Sequence, residues 1–101
     1  MNISKNTGIR ISLEKPLFDM MNLLGTVLKD SGNKILIEIN DNHKLKLNNN
    51  YIYGNRFILI SDNNETTRSL SQYYSLSVEI YFIDDKTGVE ILVGRGNATI
   101  D

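Results

Sequence analysis

The clearest pattern in the chain runs from Tyr74 to Arg95, where apolar and polar residues alternate, pause at Asp84-Asp85-Lys86-Thr87-Gly88, and alternate again. A period of two on both sides of a Gly-containing turn predicts a half-buried β-hairpin. The turn residues suit a type I turn followed by a left-handed Gly. Pairing Asp84 with Val89 sets Phe82 opposite Ile91, Ile80 opposite Val93, Tyr81 opposite Leu92 and Ile83 opposite Glu90. It leaves Arg95 across from Val78. Leu76, Val78, Ile80, Phe82, Ile91 and Val93 then share the expected core face. The opposite face holds Tyr81, Ile83 and Leu92 where a solvated sheet would carry Lys, Thr or Glu.

Earlier segments extend the pattern. Ile9, Ile11 and Leu13 alternate with Arg10, Ser12 and Glu14, which predicts a first strand. From Leu17 to Leu28 the apolar residues fall at Leu17, Met20, Met21, Leu24, Val27 and Leu28, the stripe of one buried helical face. Pro16 suits a first helical turn, Lys29 the C-terminal dipole and Gly32 the left-handed stop. Gly25 inside that helix costs about 1 kcal/mol relative to Ala, so its place asks for a neighbour that needs a small residue. Ile35, Ile37 and Ile39 share a strand face. A turn at Asp41-Asn42-His43 would pair Ile39 with Leu45, Ile37 with Leu47 and Glu38 with Lys46. Asn48-Asn49-Asn50 forms the next turn, since Asn tolerates positive φ. Tyr51 to Ile60 reads as a strand with a bulge or break at Gly54-Asn55, and residues 66–73 fit either a short strand or a helical turn. The expected architecture is α+β: one amphipathic helix packed on an antiparallel sheet of about five or six strands, in a single domain covering residues 1–101.

Size and charge narrow the function classes. A chain of 101 residues with 41% hydrophobic and 23% charged residues can bury one core. The 11 basic and 12 acidic residues are dispersed, so no run of cations is available to neutralise phosphates or an anionic membrane. There is no Cys, which removes disulfides and thiolate metal sites. The N-terminal stretch lacks the apolar core of a signal peptide, and no apolar run approaches the ~20 residues of a membrane helix. The expected location is cytoplasmic. Thirteen Asn and thirteen Ile are what AT-rich codons encode, consistent with a low-GC bacterium, its phage or a plasmid.

Residues with potential chemistry are few. His43 is the single histidine, next to Asp41 in the predicted turn, and reads as an exposed turn residue. Asp62-Asn63-Asn64-Glu65 is oxygen-rich but lacks the alternating ligands and central Gly of an EF-hand. Gly94-Arg95-Gly96-Asn97 combines flexible backbone with a planar cation, as an anion cradle does, yet fits the end of a strand better. No catalytic site, metal, cofactor or small-molecule substrate is expected. The tyrosines cluster in the β portion, where Tyr is favoured at protein interfaces.

The functional expectation follows from counting faces. One helix covers one face of the sheet, while the opposite parity still holds Leu36, Ile52, Ile58, Ile60, Tyr81, Ile83 and Leu92. Such a patch marks a binding surface. The chain is expected to be a small non-enzymatic protein-binding module. Its concrete form is a phage or mobile-element inhibitor of a host defence protein, of the anti-CRISPR kind. The alternative is a self-associating virion or assembly component, such as a homodimer. The expected protein interface is Tyr53, Arg56, Tyr81, Ile83, Leu92 and Arg95.

Overall fold

A computed structural model describes residues 3–61 and 75–101. Six strands follow one another: β1 (Gly8–Leu17), β2 (Met20–Asp30), β3 (Lys34–Leu47), β4 (Asn50–Ser61), β5 (Leu76–Ile83) and β6 (Glu90–Ile100). Each pairs antiparallel with its neighbours in sequence, and β6 returns to β1 to close a barrel. There is no helix among the described residues, hence none long and apolar enough to cross a membrane. The α+β expectation is therefore wrong: the fold is all-β.

The correction centres on the segment from Leu17 to Leu28. Phe18 and Asp19 both have positive φ, 52° and 61°, and Leu17 pairs with Met20 across them. Positive φ at both central residues of a two-residue loop is the type I′ hairpin geometry, whose twist matches that of the flanking strands. After this turn β2 buries Leu23 and Val27 and leaves Met21 and Leu24 about half exposed. The helical stripe mixed residues of both strand parities. What decides the outcome is non-local: as a strand, β2 satisfies backbone groups of β1 and β3 at once, whereas a helix would leave both edges bare. Gly25 sits where a Cβ would come within 2.6 Å of the Glu38 carbonyl oxygen. The requirement for a small residue at that position is real, and a neighbouring strand imposes it.

The inside of the barrel is an apolar core. Ile9, Ile11, Val27, Ile35, Ile37, Phe57, Val78, Ile80, Phe82 and Ala98 are fully buried within it. The parity read for β1, the first half of β3 and β5 is the parity observed. Bulges interrupt the ladders on four strands: β1 sets Leu13 to Pro16 against Met21, and β2 inserts Leu28. In β3, Ile39 to Asn42 face Asn55, and β6 inserts Val93. Bulges bend and twist strands, and a sheet this small needs that curvature to close.

The bulge in β3 replaces the expected turn at Asp41-Asn42-His43. β3 continues through it and turns at Asn48-Asn49, with Asn48 at φ 56°. Leu45 therefore pairs with Ile52, not Ile39, and Glu38 with Arg56, not Lys46. Beyond the bulge, β3 and β4 form an arm from His43↔Gly54 to Leu47↔Asn50. Ile52 on this arm is buried, so it leaves the predicted outer patch.

The barrel mouth beneath the arm is plugged by Phe18. Its ring lies 5.3 Å from that of Phe82 and stacks on His43 at 4.7 Å. A bulky residue at positive φ costs about 1–3 kcal/mol, and burial of the ring against the core offsets it. His43 is thus a half-buried strand residue packed on an aromatic ring, and not an exposed turn residue.

At the other end, Asp30 is the one buried charged side chain among the described residues. Its carboxylate accepts hydrogen bonds from the Ile3 and Gly32 backbone amides, both at 2.8 Å. The first ties down the segment leading into β1, and the second forms the β2–β3 turn.

Two substitutions check these supports. Asp30→Ala should lower unfolding stability by about 2–3 kcal/mol, because two backbone donors lose a charged acceptor. Gly96→Ala should cost about 1–3 kcal/mol through overpacking, since a Cβ at Gly96 would collide with the Ser12 carbonyl oxygen in the closing seam. Urea denaturation followed by circular dichroism measures both, and the native spectrum should be dominated by β-structure.

Candidate protein-binding face

The outer wall of the barrel is sorted by register. Leu36 of β3 pairs with Ile58 of β4, Ile58 with Tyr81 of β5, and Tyr81 with Leu92 of β6. Residues directly opposite one another share a face, so these four make a continuous apolar row across four strands. The row on one side is Glu38, Arg56, Ile83 and Glu90, and the row on the other is Lys34, Ile60, Glu79 and Arg95. Each flanking row contributes an isoleucine to the patch and an ion pair to its border. Arg56 Nε donates to Glu38 Oε2 at 3.2 Å, and an Arg95 guanidinium nitrogen donates to Glu79 Oε2, also at 3.2 Å. These pairs are partly exposed and worth little in stability. Their effect is to hold the long side chains beside the apolar row.

The rest of the wall differs. Ser12 pairs with Asn22 on one side and Asn97 on the other, and Arg10 pairs with Leu24 and Thr99. Met21 and Leu24 are half exposed on β2, but the residue facing Leu24 across the β1 ladder is Arg10. The apolar belt belongs to β3–β6.

Five of the six expected interface residues come together on this belt or its border: Arg56, Tyr81, Ile83, Leu92 and Arg95. Tyr81 and Ile83 are half-buried by their neighbours, and Leu92 is 50% exposed. The expected pairings of Tyr81 with Leu92 and Ile83 with Glu90 are the ones observed. Phe82 with Ile91 also pairs as expected, and beyond these the inserted Val93 shifts the register: Ile80 faces Gly94 rather than Val93, and Arg95 faces Glu79 rather than Val78. That one-residue step brings Arg95 to its carboxylate partner. Gly96, beside it, is buried against β1, so Gly96 and Asn97 belong to the closing ladder, while Gly94 and Arg95 lie beyond its last pair.

Tyr53 lies apart, on the arm. Its ring is 6.5 Å from that of Tyr51, and Lys86 reaches over it at 5.9 Å while Lys44 covers Tyr51 at 4.7 Å. The arm is tied to the β5–β6 turn through the Asp85 amide, which donates to the Tyr53 carbonyl oxygen at 2.9 Å. Gly54 allows this approach, because a Cβ there would meet the Ile83 carbonyl oxygen at 2.5 Å. Sequence reasoning left Leu36, Ile58 and Ile60 off the site although their parity marked them. Glu38 and Glu79 carried no local signal, since their arginine partners arrive from other strands.

The turn beside the arm is built on Asp84. Its Oδ2 accepts from the Thr87 hydroxyl at 2.7 Å and the Thr87 amide at 3.2 Å, and its carbonyl oxygen accepts from Gly88 N at 2.8 Å. The carboxylate is accordingly turn chemistry. Among the described residues, no three His, Asp or Glu side chains gather as metal ligands. The Asp62–Glu65 loop lies outside the described residues, as do residues 66–73. Compared with known protein families, curated protein sequences and solved structures, the chain matches none of them.

The Thr87 hydroxyl, with the Tyr53 and Thr87 amides behind it, holds the Asp84 carboxyl below its ordinary value of 3.8. A depressed carboxyl stabilises the fold fully above 3.8 and loses that contribution as pH falls through its folded-state value. Carboxyl resonances followed by NMR should place the Asp84 midpoint below 3.8 and return it towards 3.8 in Thr87→Val.

Proposed function

We propose that this barrel is a non-enzymatic protein-binding module whose working surface is the belt across β3–β6. The observation that carries the reading is the unbroken row Leu36–Ile58–Tyr81–Leu92, bordered on both sides by arginine–carboxylate pairs. An apolar centre containing an aromatic residue, with a charged rim that includes Arg, is the anatomy of a protein interface. The small size and the Asn- and Ile-rich composition support a narrower version. In it, the chain is an inhibitor carried by a phage or mobile element, covering the working surface of a host protein.

The test is capture of a binding protein from host lysate on the immobilised chain, beside sedimentation of the chain alone. Tyr81→Lys and Leu92→Lys should each weaken capture by roughly 30-fold or more, the loss expected at a central interface residue. Both substitutions lie on the outside of the barrel and should leave the unfolding midpoint nearly unchanged. Capture that is indifferent to both would sink the proposal. A dimer that the same substitutions dissociate would assign the belt to a second copy of the chain.

A further inference from the structure

The barrel is closed along only part of its last seam. β1 runs on to Leu17 and β6 begins at Glu90, yet their ladder ends at Leu13↔Gly96. Above that pair β1 departs in the bulge that sets Leu13 to Pro16 against Met21. β6 keeps its pairing with β5 up to Ile83↔Glu90. Along residues 90–94, one side of β6 therefore faces no strand among the described residues. Between the two strands lies a cleft of about 300 Å³, lined by Glu14, Lys15, Leu92, Val93, Gly94 and Arg95.

A strand with one bare side offers N–H and C=O groups, here at ladder spacing from Glu90 to Leu92 before the inserted Val93, and the group that satisfies them is another extended backbone. Gly94 leaves the approach open, since a Cβ built there meets no atom within 4 Å. On β1, next to the Glu14–Lys15 wall, Pro16 has no N–H to donate, so β6 is the better template. Leu92 both lines the cleft and ends the apolar row. The belt and the cleft are one continuous surface.

We propose that the open seam is a strand-acceptor site. An extended segment of the protein partner adds to β6 along residues 90–94, running as β1 does lower in the seam and extending the outer apolar row by one strand. This rests on the belt as a protein-binding surface and adds how the partner enters. Backbone pairing supplies affinity that is tolerant of sequence, and the neighbouring Leu92 and Tyr81 favour apolar side chains on the outward face of the added strand.

The probe is a lysine-capped peptide of six alternating threonine and valine residues. Its control is the same peptide N-methylated at every valine. Amide exchange of the whole chain is read by NMR. In the free protein the seam-facing amides of residues 90–94 should exchange at least about tenfold faster than those of residues 97–100, which β1 covers. The unmodified peptide should slow them, and the methylated one should not. No slowing at millimolar peptide, or equal slowing by both peptides, overturns the proposal. Slowing that grows with protein concentration alone, together with a dimer in sedimentation, gives the edge to a second copy and also overturns it. A partner that Tyr81→Lys releases, but whose binding leaves exchange at residues 90–94 unchanged, removes the seam and keeps the belt. Peptide protection that persists while capture ignores Tyr81→Lys keeps the seam and removes the belt.

Discussion

The pairing of β1 with β6 is the constraint on which the rest of the structure depends. Five residue pairs, from Ile9↔Ile100 to Leu13↔Gly96, turn a six-strand meander into a cylinder. Before that closure the sheet has two faces and two exposed edges. After it there is an inside, which only apolar side chains can fill, and an outside, where every apolar side chain needs its own explanation. Ile9, Ile11 and Ala98 are fully buried at the seam itself, so closure and core formation are one event. Gly96 is a condition of it, because the Ser12 backbone lies where its side chain would be.

Closure also changes what the outer apolar residues mean. In an open sheet covered by one helix, a second apolar face is a defect to be hidden. In a barrel the core is already complete without Leu36, Ile58, Tyr81 and Leu92. Their alignment in a single row is a property of register, set by the turn at Asn48-Asn49, the ladder between β4 and β5, and the Asp84–Gly88 turn. Shifting any one of these ladders by one residue would scatter the row, and a shift of β3 on β4 or of β5 on β6 would also separate Arg56 from Glu38 or Arg95 from Glu79. The belt is thus as strongly specified as the core, although it contributes little to folding.

How much of this was legible depended on whether the signal was local. The closing hairpin could be registered from its own residues, because turn chemistry and alternation agree there. The parity of β1 and of Ile35–Ile37–Ile39 was equally plain. The segment from Leu17 to Leu28 was not, because its spacing fits a helical face. The forces that make it a strand come from β1 and β3, which no window of the sequence contains. The type I′ turn at Phe18-Asp19 was invisible for another reason: Asp tolerates positive φ but Phe does not advertise it, and Phe18 adopts it only because the barrel mouth accepts its ring. The turn at Asn48-Asn49 was readable, but the β3 bulge was not, because Asp41-Asn42-His43 has the polar composition of a turn and suggested an earlier hairpin. Of the candidate site, the apolar members could be read from parity, while the glutamates of the rim could not, since their roles exist only after four strands are in register.

The joining of the first strand to the last has a consequence in time. During synthesis β1 leaves the ribosome first and waits for β6, the final strand to emerge, before its outer edge is covered. Until then the growing chain holds a curved sheet with an unpaired edge on β1 and a core open along one side, the conditions under which nascent β-proteins self-associate. Loop-closure entropy must be met before the seam's contacts can repay it, which places this fold among slow, non-local folders. Glu14, Lys15 and Pro16, at the upper end of that waiting edge, are the residue types that discourage a neighbouring strand from adding there. The stretch that most weakens the finished seam is then also what protects the unfinished one.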